Sequence, residues 1–137
     1  MNDQITILLK KLINLTKNDS IKWERYSQSQ FKLNLNLNSF ISNLEDNFPN
    51  SFAINSDSYI AHYKNGFIAL MAYSVLGTNG YIDLLLQSDE NSKAQCLASS
   101  NDDTLENRTL MKRLYNLVDC VVTSPNLNNF INDIIND

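Results

Sequence analysis

The chain is poor in the residues that make chemical sites recognisable from sequence. Its 137 residues include three glycines, two cysteines and a single histidine. His62 by itself rules out a multi-histidine metal site, and Gly66, Gly77 and Gly80 do not have the spacing of a phosphate-binding loop. The G-x-S-x-G motif of a serine nucleophile does not occur. We therefore predict no catalytic residue, no cofactor and no metal ligand.

Cysteine pairs and long apolar runs are also missing. Cys96 and Cys120 lack the spacing of a metal site or a redox pair, so we predict two reduced, small, buried side chains. No run of 18 apolar residues occurs, and the start MNDQITILLKK places an acid before its short apolar run and lysines after it, the reverse of a secretory signal. These features predict a cytoplasmic protein that does not insert in a membrane.

Positive charge is in deficit. Eleven lysines and arginines stand against fifteen acids, which gives a net charge of -4 and a sequence pI near 4.8. Nucleic-acid binding relies on a basic face that neutralises phosphates, so we predict no nucleic-acid partner. A basic or neutral protein partner fits this charge. The apolar fraction of 43% and the presence of only two prolines predict one folded domain, residues 1–137.

The spacing of apolar residues predicts an α+β fold. Residues 3–19 repeat apolar side chains at helical spacing and predict an N-terminal helix. A helix that starts at a capping box of Asp103 and Glu106, and another that starts at Ser124, complete the chain. Alternating segments between them predict an antiparallel sheet of about five strands, with a short helix inserted at residues 40–47. We predict that the two C-terminal helices pack on this sheet.

The segment SYIAHYKNGFIALMAY predicts a β-hairpin. Asn65 and Gly66 both tolerate the positive φ of a two-residue type I′ turn. Tyr59, Ala61 and Ile68 then share one face of the hairpin, and both faces are largely apolar. Because apolar residues on both faces need cover, we predict a central position in the sheet, with helices over at least one side.

The segment FKLNLNL alternates leucine with asparagine. The pattern predicts a peripheral strand with Leu33, Leu35 and Leu37 buried and with Asn34 and Asn36 exposed to solvent. Asparagine occupies 21 positions, a bias typical of AT-rich bacterial coding sequences, so single asparagines need no functional explanation.

Aromatic side chains on predicted strands form the candidate partner surface. Tyrosine and tryptophan are enriched at contact hot spots, although core packing also accounts for many of them. If one sheet face lacks helices, these residues and the asparagine row make a mixed surface suited to a protein partner. The candidate residues are Trp23, Tyr26, Asn34, Asn36, Tyr59, His62 and Tyr63.

The order of elements resembles that of small uncharacterised bacterial α+β proteins. The resemblance is carried by the strand Ile21–Arg25, the hairpin Tyr59–Tyr73 and the helical segment Leu110–Tyr115, followed by the final helix. Such small acidic proteins look like those encoded near toxins or phage-related genes. The resemblance implies a non-catalytic interaction module, an immunity protein or antitoxin that binds and neutralises a bacterial toxin.

Two alternatives remain open from the sequence. The size, acidity and mixture of helices and strands also resemble secretion-chaperone-like dimers, although the usual order of elements is not matched. The other alternative is a small-molecule-binding protein or an enzyme with a pocket between the helices and the sheet. In that pocket His62 would act with Glu24 or Asp83.

Overall fold

An antiparallel β-sheet with helices on one face organises the chain. The computed structural model describes residues 2–34, 51–53, 55–75, 80–101, 104–124 and 126–136. The helices are α1 (Asn2–Lys17), α2 (Leu105–Thr123) and α3 (Leu127–Asn136). The strands are β1 (Trp23–Arg25), β2 (Ser51–Ala53), β3 (Tyr59–Tyr63), β4 (Gly66–Val75), β5 (Tyr81–Gln87) and β6 (Gln95–Ser99). The predicted α+β class is confirmed.

The long strand β4 lies at the centre of the sheet. The strand order is β1-β3-β4-β5-β6, and β2 also pairs with β4. Residues 66–70 of β4 pair with β3, whereas residues 73–75 pair with β2. Because β5 pairs with residues 67–73 of β4, β2 and β3 must share the opposite edge, one after the other. Six strands therefore occupy five positions, and the predicted central place of the hairpin is confirmed.

The hairpin turn lies one residue earlier than the predicted turn. Tyr63 pairs with Gly66, so the two-residue loop is Lys64 and Asn65, with Lys64 at a φ of 55°. The predicted loop of Asn65 and Gly66 is wrong. Moving a two-residue loop by one position shifts the cross-strand partner of each residue by two positions. Because side chains alternate between the two faces with a period of two, every side chain stays on its predicted face.

Helices α1 and α2 cover one face of the sheet and form the larger core with it. Leu9 of α1 and Met111 and Leu114 of α2 are completely buried in this core. Polar groups inside it are paired: the indole nitrogen of Trp23 donates to Thr16 Oγ1 at 3.1 Å, and that hydroxyl donates to the Leu12 carbonyl at 2.7 Å. These bonds fix β1 against α1.

The start of α2 differs from the predicted cap. Thr104, and not Asp103, is the residue before the first helical turn, and its hydroxyl accepts a hydrogen bond from the Asn107 amide at 3.4 Å. Threonine satisfies a free amide at a helix start in the same way as aspartate does. Asp103 lies outside the described residues.

Helix α3 does not bury its apolar face. Phe130, Ile131, Ile134 and Ile135 are 61, 42, 61 and 71% exposed. The prediction that both C-terminal helices pack on the sheet therefore holds for α2 and is wrong for α3. An amphipathic pattern specifies which side of a helix is apolar, but it does not specify what covers that side.

The opposite face of the sheet carries a second, smaller core that includes Leu33. Leu33 is 7% exposed, and its amide donates to the Tyr26 hydroxyl at 3.0 Å. Residues 31–34 are not in a strand, so the strand prediction is wrong for this part of FKLNLNL. Buried Leu33 and exposed Asn34 agree with the predicted alternation, whereas Phe31, predicted on the same apolar face as Leu33, is 41% exposed. Leu35, Asn36, Leu37 and the predicted short helix lie outside the described residues.

Asn34 is tied to the end of the sheet through its backbone. Its amide donates to Gln87 Oε1 at 2.6 Å, and its carbonyl accepts from the Ala94 amide at 2.9 Å. Its side-chain nitrogen donates to the Ser92 carbonyl at 3.1 Å. The exposed asparagine thus has a structural role, because it anchors residues 31–34 to the β5–β6 connection.

Replacing Gln87 by leucine is expected to lower the free energy of unfolding by about 1 kcal/mol. Gln87 is 3% exposed, accepts from Asn34 and donates to the Asp89 carbonyl at 2.9 Å, and leucine removes both bonds. Urea unfolding measures the change. Gln95→Leu, at an exposed position on β6, is the control and should stay within about 0.5 kcal/mol of wild type. Equal losses in both variants would contradict the anchoring role.

Candidate functional site

A groove of about 850 Å³ lies between α1 and the hairpin end of the sheet. Leu8, Lys11, Leu12 and Leu15 of α1 line one wall, and their spacing places them on one stripe of the helix. Strand side chains line the other wall. They include Ile68, Leu86 and Leu97. The groove is therefore mainly apolar along its length.

A β-bulge directs Leu97 into this groove. Leu84 pairs with Ala98 and Leu85 pairs with Cys96, so Leu97 is an extra residue in β6. Bulges of this kind change the direction of a side chain relative to regular pairing. Leu97 lines the groove and is 37% exposed.

Three lysines surround the groove. Lys11 on α1, Lys64 in the hairpin turn and Lys93 before β6 all line it and are all exposed. Among the described residues, none of the three has a carboxylate at ion-pair distance, and the residues that line the groove include no acid. A chain of net charge -4 thus carries a local positive surface here.

A smaller polar depression of about 430 Å³ adjoins the groove and shares Lys64 and Asn65 with it. His62, Asp89 and Glu90 line this depression. The imidazole of His62 stacks on the Phe67 ring, with centroids 4.8 Å apart and planes at 17°. In the part of the chain that the structure describes, no three metal-binding side chains come together.

Of the two predicted catalytic pairings of His62, with Glu24 or with Asp83, the fold does not assemble the one with Asp83. Glu24 lies on β1 and Asp83 on β5, and two strands separate them, so their backbones are about 14 Å apart. His62 is exposed at the hairpin end of β3 and stacks on Phe67. His62 pairs with Phe67 of β4. Asp83 pairs with Met71, which lies four residues further along the same strand. The fold therefore keeps Asp83 apart from both, whereas Glu24 pairs with Ile60 and is a diagonal neighbour of His62 on the same face of the sheet.

Asp83 forms a different cluster, with Cys96 and Ser99 of the neighbouring strand. Burial raises the pKa of Asp83, while hydrogen bonds from Ser99 and Cys96 oppose the rise. Burial, followed by the charge of Asp83, raises the pKa of the Cys96 thiol to about 12. A thiol with such a pKa is a poor nucleophile at neutral pH. Both cysteines are free as predicted, but the predicted burial is wrong for Cys96. This residue of the edge strand β6 is exposed as a whole while its Sγ is enclosed by Asp83 and the Ala98 carbonyl, and Cys120 is half-buried.

Replacing Asp83 by asparagine is expected to raise the free energy of unfolding at pH 7. A raised carboxyl pKa means that the folded chain holds the proton more tightly than the unfolded chain, so stability is lost as pH rises through the folded pKa. Asparagine carries no charge and still accepts a hydrogen bond from Ser99. The gain in stability should disappear near pH 3, because the carboxyl group of Asp83 is then also uncharged. Denaturant unfolding at the two pH values measures it.

Asp89→Asn is the control with the opposite sign. Hydrogen bonds from Ser92 and the Asn91 amide lower the pKa of Asp89, which is half-buried. The charged carboxylate of Asp89 contributes stability above the pKa of the unfolded chain, and this contribution is lost as pH falls through the folded pKa. Asparagine at this position should therefore not stabilise the chain at pH 7. A loss of stability in Asp83→Asn at pH 7 would show that the hydrogen bonds to the charged carboxylate outweigh the cost of burial.

Three members of the predicted partner surface are core residues. Trp23, Tyr26 and Tyr59 are 8, 7 and 1% exposed, and their place on a partner surface is a wrong prediction. The hydroxyl of Tyr59 donates to the carboxylate of Asp119 on α2. Tyrosine and tryptophan are frequent at contact hot spots, yet here their large apolar area is buried inside the fold.

The exposed members of that surface fall at the hairpin end of the sheet. Tyr63 is 39% exposed and lines the groove, and His62 lines the neighbouring depression. Asn34 is exposed but bonded to the β5–β6 connection, and Asn36 lies outside the described residues. Two of the predicted surface residues are thus accessible at the hairpin end. A pocket between helices and sheet was predicted only for the small-molecule alternative, without its lining residues, and the exposed face of α3 was not predicted.

Comparison with protein-family models, with curated proteins and with solved structures finds no match for this chain. Among the described residues, no helix combines the length and the apolar character needed to cross a membrane. The candidate sites thus rest on the geometry of this chain alone.

Proposed function

We propose that this protein is a protein-interaction module and, more narrowly, an immunity protein or inhibitor that binds and neutralises a bacterial toxin. The observation that carries the proposal is the apolar face of α3, formed by Phe130, Ile131, Ile134 and Ile135. These four side chains lie on one stripe of the helix and are exposed. A contiguous exposed apolar stripe is typical of an interaction site.

The energetics favour a partner that covers this stripe. Removing one such side chain from water is worth about 1.5–3 kcal/mol. A helix of ten residues has little stability in water unless its apolar face packs against something. Covering the stripe therefore stabilises both the helix and the complex.

The charge of the helix defines the chemistry of the partner. Outside its apolar stripe, α3 presents Asn129, Asn132, Asp133 and Asn136, and the helix contains no lysine or arginine. The chain as a whole is acidic, which steers it toward a basic partner. A partner with an apolar groove flanked by basic side chains fits, in the mode of a helix that binds in a groove.

Co-expression with toxic proteins encoded by neighbouring genes tests the proposal. We expect wild type to restore growth, and we expect Ile134→Asp to weaken toxin binding ten- to hundredfold and to lose protection, because it places a charge in the centre of the stripe. Asn132→Asp, which adds the same charge on the polar side of α3, is the matched control and should protect. Circular dichroism confirms that both variants fold.

Two outcomes would contradict the proposal. Absence of protection, together with failure to bind any neighbouring gene product, would remove the toxin-neutralising role. Sedimentation that shows a wild-type dimer and an Ile134→Asp monomer would mean that a second copy covers α3. That result would favour the secretion-chaperone-like alternative.

A further inference from the structure

We propose that the groove between α1 and the sheet binds a free long-chain carboxylate. The alkyl chain lies against the apolar walls, and the carboxylate lies among Lys11, Lys64 and Lys93. This site is separate from α3, and the inference does not depend on the protein-binding role of that helix.

The walls of the groove suit an alkyl chain. The α1 stripe contributes Leu8, Leu12 and Leu15, and the sheet contributes Ile68 and Leu97. A volume of about 850 Å³ falls within the range of small-molecule sites, which are mostly apolar with a few polar groups that orient the ligand. The exposed part of Leu97 leaves its side chain available for contact with a ligand.

The lysines specify an anionic head group. Three of the eleven basic residues of an acidic chain line this groove, from α1, the hairpin turn and the residues before β6. Lys64 Nζ also lies 5.6 Å from the centroid of the Tyr63 ring, at the end of the groove. The described lining of the groove holds no acid, so a bound carboxylate supplies a counter-charge inside it, while Lys64 also borders the depression that contains Asp89 and Glu90. The acids Asp89 and Glu90 lie in the neighbouring depression, where they disfavour an anion.

Calorimetric titration of the full chain with octanoate, decanoate and dodecanoate, below micelle-forming concentrations, tests the site. We expect about fourfold tighter binding for each added methylene, as for an alkyl chain that leaves water. Decanoate should bind more tightly than decanol. Added salt should weaken the binding of decanoate, because it screens the attraction to the lysines, but not the binding of decanol. Binding that is independent of chain length, or equal for decanoate and decanol, would overturn the proposal.

A set of charge-matched variants separates the groove from general electrostatics. The triple variant Lys11→Gln, Lys64→Gln and Lys93→Gln should weaken decanoate about tenfold and leave decanol unchanged. The control triple variant replaces lysines outside the groove by glutamine and changes the net charge by the same amount. It should bind decanoate with the affinity of wild type. The control positions are Lys17, Lys22 and Lys112. Equal weakening in both triple variants would overturn the site.

Leu97→Asp distinguishes this inference from the proposed function. It places a carboxylate in the groove at an exposed position, so decanoate binding should be lost while protection against a toxin is kept. Ile134→Asp on α3 should do the reverse. If decanoate instead dissociates a dimer, and Ile134→Asp does so as well, the groove holds α3 of a second copy and the carboxylate proposal is wrong.

Discussion

Replacing Leu114 by alanine is expected to lower the free energy of unfolding by about 2–5 kcal/mol. Leu114 lies on α2, is completely buried and belongs to the core that joins α1 and α2 to the sheet. The cost combines the lost transfer of the side chain from water with the cavity that remains. Since domains of this kind are stable by about 5–15 kcal/mol, one substitution removes a large part of the total. Denaturant unfolding followed by circular dichroism measures it.

Ile134→Ala on α3 is the matched control. Ile134 is also an aliphatic residue on an amphipathic helix, but it is 61% exposed. Its replacement should change the free energy of unfolding by less than about 0.5 kcal/mol. A loss in Ile134→Ala comparable to that in Leu114→Ala would mean that α3 is covered in solution, either by the chain itself or by a second copy.

The contrast between these two residues also shows what sequence can predict. The apolar stripes of α2 and α3 look alike as patterns, and both predict an amphipathic helix that packs on the sheet. Only α2 does so. The spacing of apolar residues defines which face of a helix is apolar. Whether another part of the chain packs against that face depends on the position of the helix in the fold, which a local pattern does not specify.

Strand faces were predictable because the side-chain period in a strand is two. The hairpin turn was placed one residue late, yet Tyr59, Ala61 and Ile68 share the predicted face. In residues 31–34, which are not a strand, Leu33 is buried and Asn34 is exposed as predicted, but Phe31 is 41% exposed despite sharing the parity of Leu33. Local alternation thus survives an error in turn position, and it survives an error in strand assignment only in part.

The residues that line the groove were not predictable, because they come from distant parts of the chain. Lys11 lies among the leucines of α1 on one stripe, which was the only local signal. Lys64 reaches the groove because the turn lies at Lys64 and Asn65, and Leu97 reaches it through a bulge. Turn position and bulges depend on strand pairing, and neither follows from a single segment.

Replacing Gly66 by alanine is expected to lower the free energy of unfolding by about 1–3 kcal/mol. A Cβ atom at this position would lie 2.5 Å from the Gln87 carbonyl oxygen and 2.9 Å from that of Ser88. Both atoms belong to the backbone, so relief requires the end of β5 to move away from β4. The same movement displaces one wall of the groove, and decanoate binding should weaken with stability. Urea unfolding and calorimetry measure the two effects.

Lys64→Gly distinguishes close approach from turn conformation as the reason for Gly66. If the turn were Asn65 and Gly66, Lys64 would be a strand residue and glycine there would cost about 0.5–1 kcal/mol. In the structure Lys64 has a φ of 55°, where a side chain costs about 1–2 kcal/mol that glycine relieves. Because added chain entropy offsets part of that relief, Lys64→Gly should be neutral or stabilising. Loss of stability in Lys64→Gly would place the turn at Asn65 and Gly66 and would remove Lys64 from its position beside the groove.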